Sequence, residues 1–449
     1  MKKCKLLPLF LALLLILPLA VPVGASSILD DMDVAATAAI LVEGDTGEVL
    51  YGKNAHEKRY PASITKVMTA MLVVEAIDEG KLSMNQMVTV PEAAMEGLSA
   101  DGSTQNIKAG EQLTIQDLLY CALLASANEA CNILAVELAG SVESFVAMMN
   151  EEARRLGMTN THFANPHGLH DENHYTTAYD IALMGQQAMK HDIFREIVAT
   201  VDYYVPETNL HARRHFYTTN GLMSNWHYIG YTYQYAIGIK TGSTPEAGQC
   251  LLSAAEKDGR TLFAVVLGAQ NITDEKGKIT DRQSFSESER LFEWGFENFS
   301  RRTLLTTTDL QGQIPVTLSK TEQVVLAPAG ELEAMIPNDM QAEDLTVTPV
   351  FFAESVEAPV AKGQVMGKVT VSYKDTQYGT LDLVALSDVE RDEWMYRKDR
   401  MEKFFAQTWV KVLLVGLVVL ILVLLVVRLF VGRRNRRRRG YRGRRYRGR

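Results

Sequence analysis

The chain has 449 residues, enough for about three domains of ordinary size and a substantial core. Its 22% charged and 47% hydrophobic residues exclude disorder of the whole chain, and 31 Gly with 13 Pro exclude a collagen-like or low-complexity body. The formal charge of -8 conceals a division: Lys2, Lys3 and Lys5 open the chain, and Arg428–Arg449 holds twelve arginines and no acid. Without those fifteen positive charges the remainder carries -23. A body so acidic repels phosphate, which argues against nucleic-acid binding by the folded part, and basic ends around it point to a charge division across a membrane.

Three lysines, an apolar run from Leu6 to Leu17 and the small residues Val23-Gly24-Ala25 predict a secretory signal over residues 1–25. Cys4 precedes the apolar run and so cannot serve as a lipoprotein anchor. Apolar runs around Asp45-Thr46-Gly47, from Ala35 to Tyr51, predict a two-stranded hairpin. Pro61 lies near the first turn of a helix expected over 63–79, with Ile64, Val67, Met68, Met71, Leu72 and Ile77 at helical spacing and Gly80 as its stop. Leu113 to Leu138 is apolar at helical spacing but broken by Ala125-Ser126-Ala127-Asn128, which predicts two helices joined at a polar corner. Helices follow at 141–156 and 177–190.

From Tyr235 onward the texture changes to strands, in the runs AIGIKTG, QCLLSAAE and TLFAVVLG, with a hairpin turn at 257–260 and a closing helix over about 286–298. Strands at both ends of a helical segment predict an α+β domain over 35–300 whose sheet gathers both ends. Residues 301–390 read as a small all-β domain, 391–408 as a charged, helix-prone stalk, and 409–431 as one transmembrane helix around the unbroken apolar block Val412–Val427. The Arg-rich tail 432–449 then sets the C-terminus in the cytoplasm and the body outside. The tail is expected to act as a stop-transfer and lipid-headgroup anchor, with RNA or anionic lipid as other ligands of such a composition. After signal removal Cys121, Cys131 and Cys250 remain, an odd number that predicts core thiols instead of a disulfide framework.

Ser63 and Lys66 stand at i and i+3, so both side chains point to one side of the helix. A serine nucleophile needs a base within hydrogen-bond reach, a neutral lysine can be one, and a helix N-terminus offers free N–H groups to an oxyanion. Ser126 and Asn128 occupy a corner where a polar pair has no packing reason to be. They either cap the next helix or supply a proton relay (Ser126) and an amide for a substrate peptide group (Asn128). Lys240-Thr241-Gly242 ends a strand bared by Gly238 and Gly242, able to accept an extended peptide by β-augmentation, with Thr241 to bond a carboxylate and Lys240 to attract it. A second ammonium at Lys240 would also depress the Lys66 pKa by like-charge repulsion.

Ser-x-x-Lys, Ser-x-Asn and Lys-Thr-Gly, in this order on helix, interhelical corner and strand, are the contexts that the penicillin-recognising serine enzymes require. The chain resembles the low-molecular-mass penicillin-binding proteins that are D-alanyl-D-alanine carboxypeptidases. The likeness extends to the sequence around Tyr60–Lys66, to Asn165-Pro166-His167-Gly168-Leu169 and to His174–Asp180, and the β domain with Ala358–Gln364 looks like the family's C-terminal domain.

The resemblance implies a β-lactamase/transpeptidase-like catalytic fold, an antiparallel sheet plus a helical region. It implies removal of the terminal D-alanine of peptidoglycan stem pentapeptides through an acyl-enzyme, without cofactor or metal, and trapping by β-lactams. Ser63 would be the acylated nucleophile and Lys66 its general base. Ser126, Asn128, Lys240, Thr241 and Gly242 would complete proton transfer and substrate binding, with the N–H groups of Ser63 and Ser243 as oxyanion hole. Ala127 stands where many relatives have Gly. Relatives also tend to place an arginine at the start of the last catalytic-domain helix. Here Phe285-Ser286 stands there, and Arg282 is close but out of register.

Four other readings compete. His167, His170, His174 and Asp171 have spacings that could suit zinc, but on a loop no helix places two of them on one face. A β-lactamase of class A needs a deacylating glutamate, and no matching acidic motif lies between Asn128 and Lys240. Endopeptidase or transpeptidase chemistry on the same fold, and a non-catalytic peptidoglycan-binding scaffold, are the remaining alternatives.

Overall fold

The structure, a computed structural model, describes residues 32–442 apart from 100–101 and 374–375. The expected signal at 1–25 and the side chains of the basic tail lie outside the described residues. In chain order the first compact unit contains β1 (Ala38–Glu43), β2 (Val49–Lys53), α1 (Lys66–Asp78), β3 (Met87–Thr89), β4 (Gln112–Thr114), α2 (Ile115–Leu123), α3 (Asn128–Ala139), α4 (Val142–Arg155), α5 (Ala178–Ala188) and α6 (Asp192–Ala199). It continues with β5 (Asp202–Val205), β6 (Arg214–Tyr217), β7 (Ala236–Thr244), β8 (Gly248–Lys257), β9 (Arg260–Ala269), β10 (Asn271–Thr273), β11 (Ile279–Arg282) and α7 (Gln283–Asn298).

Five of these strands form one antiparallel sheet in the order β2-β1-β9-β8-β7, so strands from both ends of the segment meet and β7 is an edge. Strand side chains alternate between faces. Here Ile40, Val42, Leu252, Phe263, Val265 and Leu267 enter the core shared with α1 and the helical region. Leu41, Leu251, Leu262, Ala264 and Val266 enter a second core against Leu291, Phe292 and Phe296 of α7. The near-continuous apolar runs of β8 and β9 follow from burial on both faces. The hairpin turn between these two strands falls at Asp258-Gly259, both with positive φ, as expected for a type I′ connection.

The polar corner breaks the apolar segment as expected: α2 begins with a capping box between Thr114 and Asp117, and α3 follows after Leu124–Ala127. The first long helix departs from expectation. Residues Ala62–Thr65, entered through Ala62 at φ 48°, form a 3₁₀ turn with tighter i to i+3 geometry, and the α-helix begins only at Lys66. The short α6 and the β5–β6 hairpin have no counterpart among the elements expected from the sequence.

β12 (Phe299–Leu305), β13 (Gly312–Thr317), β14 (Gln323–Pro328), β15 (Leu332–Pro337), β16 (Thr346–Phe351), β17 (Val356–Glu357), β18 (Val365–Tyr373) and β19 (Thr376–Ala385) complete the strands. Residues 333–344 belong to the first unit, where the Met335 N–H donates to Glu48. The second unit holds a six-stranded sheet, β16-β18-β19-β14-β13-β17, over a core of Ile314, Val316, Leu326, Val369, Val371 and Leu383. α8 (Glu393–Ala406) and α9 (Thr408–Arg442) follow, and Thr408–Phe430 of α9 is long and apolar enough to cross a membrane.

Candidate active site

The 3₁₀ turn that replaces the start of α1 places the first pair. Side chains at i and i+3 eclipse on a 3₁₀ turn, and Lys66 Nζ donates to Ser63 Oγ at 2.8 Å. Two glycines allow the turn its position. A Cβ on Gly168, whose φ is +88°, would stand 1.9 Å from the Ala62 carbonyl oxygen, and one on Gly242 would stand 3.0 Å from the Ser63 nitrogen. A neutral hydrogen-bond chain holds the turn from below. The Thr65 hydroxyl donates to the Ala62 carbonyl at 2.8 Å, so His174 Nε2, also at 2.8 Å, is its donor, and His174 Nδ1 accepts from the Ala164 N–H. Burial keeps His174 uncharged, with its pKa lowered to about 4.

Lys66 is fully buried and has three acceptors: Ser63 Oγ, Asn128 Oδ1 at 2.8 Å and the His167 carbonyl at 2.7 Å. These match the three protons of an ammonium, so the site has a place for a proton taken from serine. Burial lowers the Lys66 pKa to about 8, against smaller opposing influences from Cys131 and Glu129. Lys240, 1% exposed on β7, is also held well below the usual lysine range, by burial first and then by the charge of Lys66. The expected like-charge repulsion therefore acts mainly on Lys240, and desolvation is what tunes Lys66.

Asn128 is the first residue of α3, whose N-cap is Ala127 without a side-chain cap. The capping alternative for this corner is thus not realised: Asn128 Oδ1 faces Lys66, which leaves its Nδ2 donors for another group. Ser126, at φ 61°, is nearly buried in a left-handed conformation sparsely populated by residues with a Cβ. On β7, Lys240 Nζ donates to the Thr241 carbonyl at 3.0 Å, and the Thr241 hydroxyl lies 2.6 Å from that of Thr219. Ser243 is exposed and its hydroxyl accepts from Gln249. Since β7 is an edge, its outward backbone groups border the Ser63 turn unpaired by any strand among the described residues.

The structure thus brings Ser63, Lys66, Asn128 and the Lys240–Ser243 strand together. Arg282 is not brought to them by any contact among the described residues: its guanidinium lies 4.1 Å over the Tyr228 ring and its N–H donates to Tyr231. The histidines do not converge on a metal position either, no such group of three ligands occurring among the described residues. His167 Nδ1 accepts from the Leu169 N–H, burial lowers its pKa to about 3, and His170 packs edge-on against Tyr60. Thr219 and the His167 carbonyl carry no distinctive signal in the sequence. The first is one hydroxyl in a threonine pair, and the second is a backbone atom without any side-chain signature.

A serine–lysine pair beneath the open edge of an antiparallel sheet covered by helices on both faces is the arrangement of the penicillin-binding enzymes. Solved structures agree: penicillin-binding protein 5 from Haemophilus influenzae superposes with TM-score 0.62 at 28% identity, covering 80% of this chain and 99% of that one. A mutant of the Streptomyces K15 DD-transpeptidase superposes with TM-score 0.52 at 31% identity, covering 59% of this chain and 99% of that one. The chain belongs to the D-alanyl-D-alanine carboxypeptidase family, whose model matches residues 25–271; that of the penicillin-binding protein 5 C-terminal domain matches 299–391. The carboxypeptidase DacF of Bacillus subtilis is 30% identical over 79% of this chain and 86% of its own length, and DacC of Escherichia coli is 31% identical over 87% and 91%.

Proposed function

We propose that the protein is a serine D-Ala-D-Ala carboxypeptidase that removes the terminal D-alanine of peptidoglycan stem pentapeptides. The observation that carries this reading is the 2.8 Å contact between Ser63 Oγ and a buried Lys66 whose pKa is lowered to about 8. Neutral Lys66 takes the Ser63 proton as Oγ attacks the carbonyl of the penultimate D-alanine. The N–H groups of Ser63 and Ser243 receive the oxyanion. As the C–N bond breaks, the Ser126 hydroxyl relays a proton to the departing amine, leaving an ester on Ser63 that water hydrolyses. Asn128 Nδ2 donates to a substrate peptide carbonyl, the bare strand through Gly242 pairs with the substrate backbone, and Lys240 and Thr241 hold the terminal carboxylate. Arg282 is a secondary candidate for that carboxylate, reachable only if it leaves Tyr228.

The same reading makes the protein a covalent target of β-lactams. It extends to location: a cleaved signal at 1–25, catalytic (35–300) and β (301–390) domains outside the cytoplasm, a stalk, a span at 409–431 and the basic tail inside.

The test is release of D-alanine from a stem pentapeptide by the full chain in detergent micelles, beside Ser63→Ala. Release by the wild type alone, with a slowly hydrolysed penicillin adduct on Ser63, is expected. Rapid drug turnover would instead identify a β-lactamase, and no release by either protein would defeat the reading. Because a DD-transpeptidase is among the similar structures, an added amino-acid acceptor completes the assay: dominant transfer to it would assign transpeptidation.

A further inference from the structure

Next to Asn128 the chain carries a buried carboxylate for which the reaction just described has no use. Glu129, on the first turn of α3, is 2% exposed and forms no ion pair among the described residues. Its Oε1 accepts from the Thr104 hydroxyl at 2.7 Å, the Gln105 N–H at 2.6 Å and the Ile107 N–H at 3.4 Å. Those donors lie on the irregular segment preceding β4, which also reaches the corner by two other bonds. The Asn128 N–H donates to the Ser103 carbonyl at 2.9 Å, and the Ser103 hydroxyl donates to the Ala125 carbonyl. One residue earlier, Gly102 approaches so closely that a Cβ there would stand 2.6 Å from Asn128 Nδ2. The segment therefore forms one wall for the amide whose other end accepts from Lys66.

We propose that Glu129 is a positioning residue for acylation: by fastening residues 103–107 to the start of α3 it keeps Gly102 and Ser103 against Asn128 and fixes that amide between Lys66 and the substrate. The inference rests on the acyl-enzyme reading. A carboxylate in a first helical turn could serve the helix dipole alone, but the dipole asks for a charge near the helix end and not for three convergent donors from another segment. An acceptor with these bonds is an effective clamp because a buried N–H or O–H left without a partner is costly.

The experiment measures penicillin acylation and D-alanine release by the full chain in detergent for the wild type, Glu129→Ala, Glu129→Gln and Thr104→Val. Glu129→Ala removes the acceptor, and a misplacement of about an ångström at the site lowers acylation on the order of 10²-fold, with a raised KM for the pentapeptide. Glu129→Gln keeps an oxygen acceptor and restores acylation above pH 8. Thr104→Val, which removes one of the three donors to Glu129 together with the acceptor of the Asn106 N–H, shows a smaller loss in the same direction and serves if the alanine variant does not fold.

The glutamine variant has a second readout. Lys66 is surrounded by Lys240 from β7, Cys131 and Glu129 from α3, and His167 and His174 from the loop before α5. Removing the Glu129 charge removes one influence that favours the ammonium, so the acid limb of the acylation profile moves to lower pH. Acylation of Glu129→Ala at the wild-type rate, with only its melting temperature lowered, would overturn the proposal. So would a folded Glu129→Gln as impaired as the alanine variant. Failure of the wild type to form an adduct that Ser63→Ala lacks would defeat the acyl-enzyme reading itself and this inference with it.

Discussion

On the proposed mechanism Lys66 sets the pH range in which the site is ready. With its pKa near 8, about one molecule in ten carries the neutral base at pH 7. Acylation should therefore rise about tenfold per pH unit below 7 and level off above 8, because the form that accepts the serine proton is the deprotonated one. A flat profile between pH 6 and 8 would show that Lys66 is not the base. Gly168 offers a steric test: Gly168→Ala combines an unfavourable φ with a 1.9 Å overlap on the Ala62 carbonyl. It should abolish penicillin labelling even in whatever fraction folds, as read by labelling of the soluble variant. At this scale the sequence was informative where two side chains at local spacing meet, as Ser63 and Lys66 do. It was silent where the partner is a backbone atom far along the chain, as for the His167 carbonyl, or a charge whose ligands come from a segment without regular structure, as for Glu129.

Among the elements, α7 is the clearest case of a helix held by one face. Phe292 is fully buried against the sheet and stacks parallel to Tyr233. Phe292→Ala should destabilise the first unit by about 3–5 kcal/mol, measured by denaturant unfolding. At the start of α2 the Thr114 hydroxyl accepts from the Asp117 N–H, and Thr114→Ala should cost about 1 kcal/mol in the same measurement. Long elements with a sustained period were legible: α4, α5, β8 and β9 fall where the apolar pattern predicts. The eight residues of α6 and the four-residue strands β5 and β6 are too short to establish a period, and they exist because Phe194, Ile197, Val205 and Phe216 find places in a core assembled from distant parts of the chain. The 3₁₀ turn before α1 is illegible for another reason: Pro61 and an alanine announce a helix start, whereas the turn with its positive φ at Ala62 fits only because Gly168 and Gly242, far along the chain, lack side chains.

For the whole molecule, the change of texture near residue 300 and the apolar block near the C-terminus were both visible in composition. The return of residues 333–344 to the first unit was not, since it depends on tertiary pairing such as that of Met335 with Glu48. Ending the chain after Gln407 should move the protein from the detergent-extracted to the aqueous fraction and leave the acylation rate unchanged, as measured by phase partition and penicillin labelling. The three cysteines of the described residues add a last consequence. All are buried and unpaired, and burial raises the Cys131 thiol to about 12 and that of Cys250 to about 11. Neither thiolate is populated at neutral pH in the folded state, and no disulfide joins the cysteines of the described residues. These thiols should therefore resist alkylating reagents in the native protein and react only as the core opens, so that their labelling would report on opening of the fold.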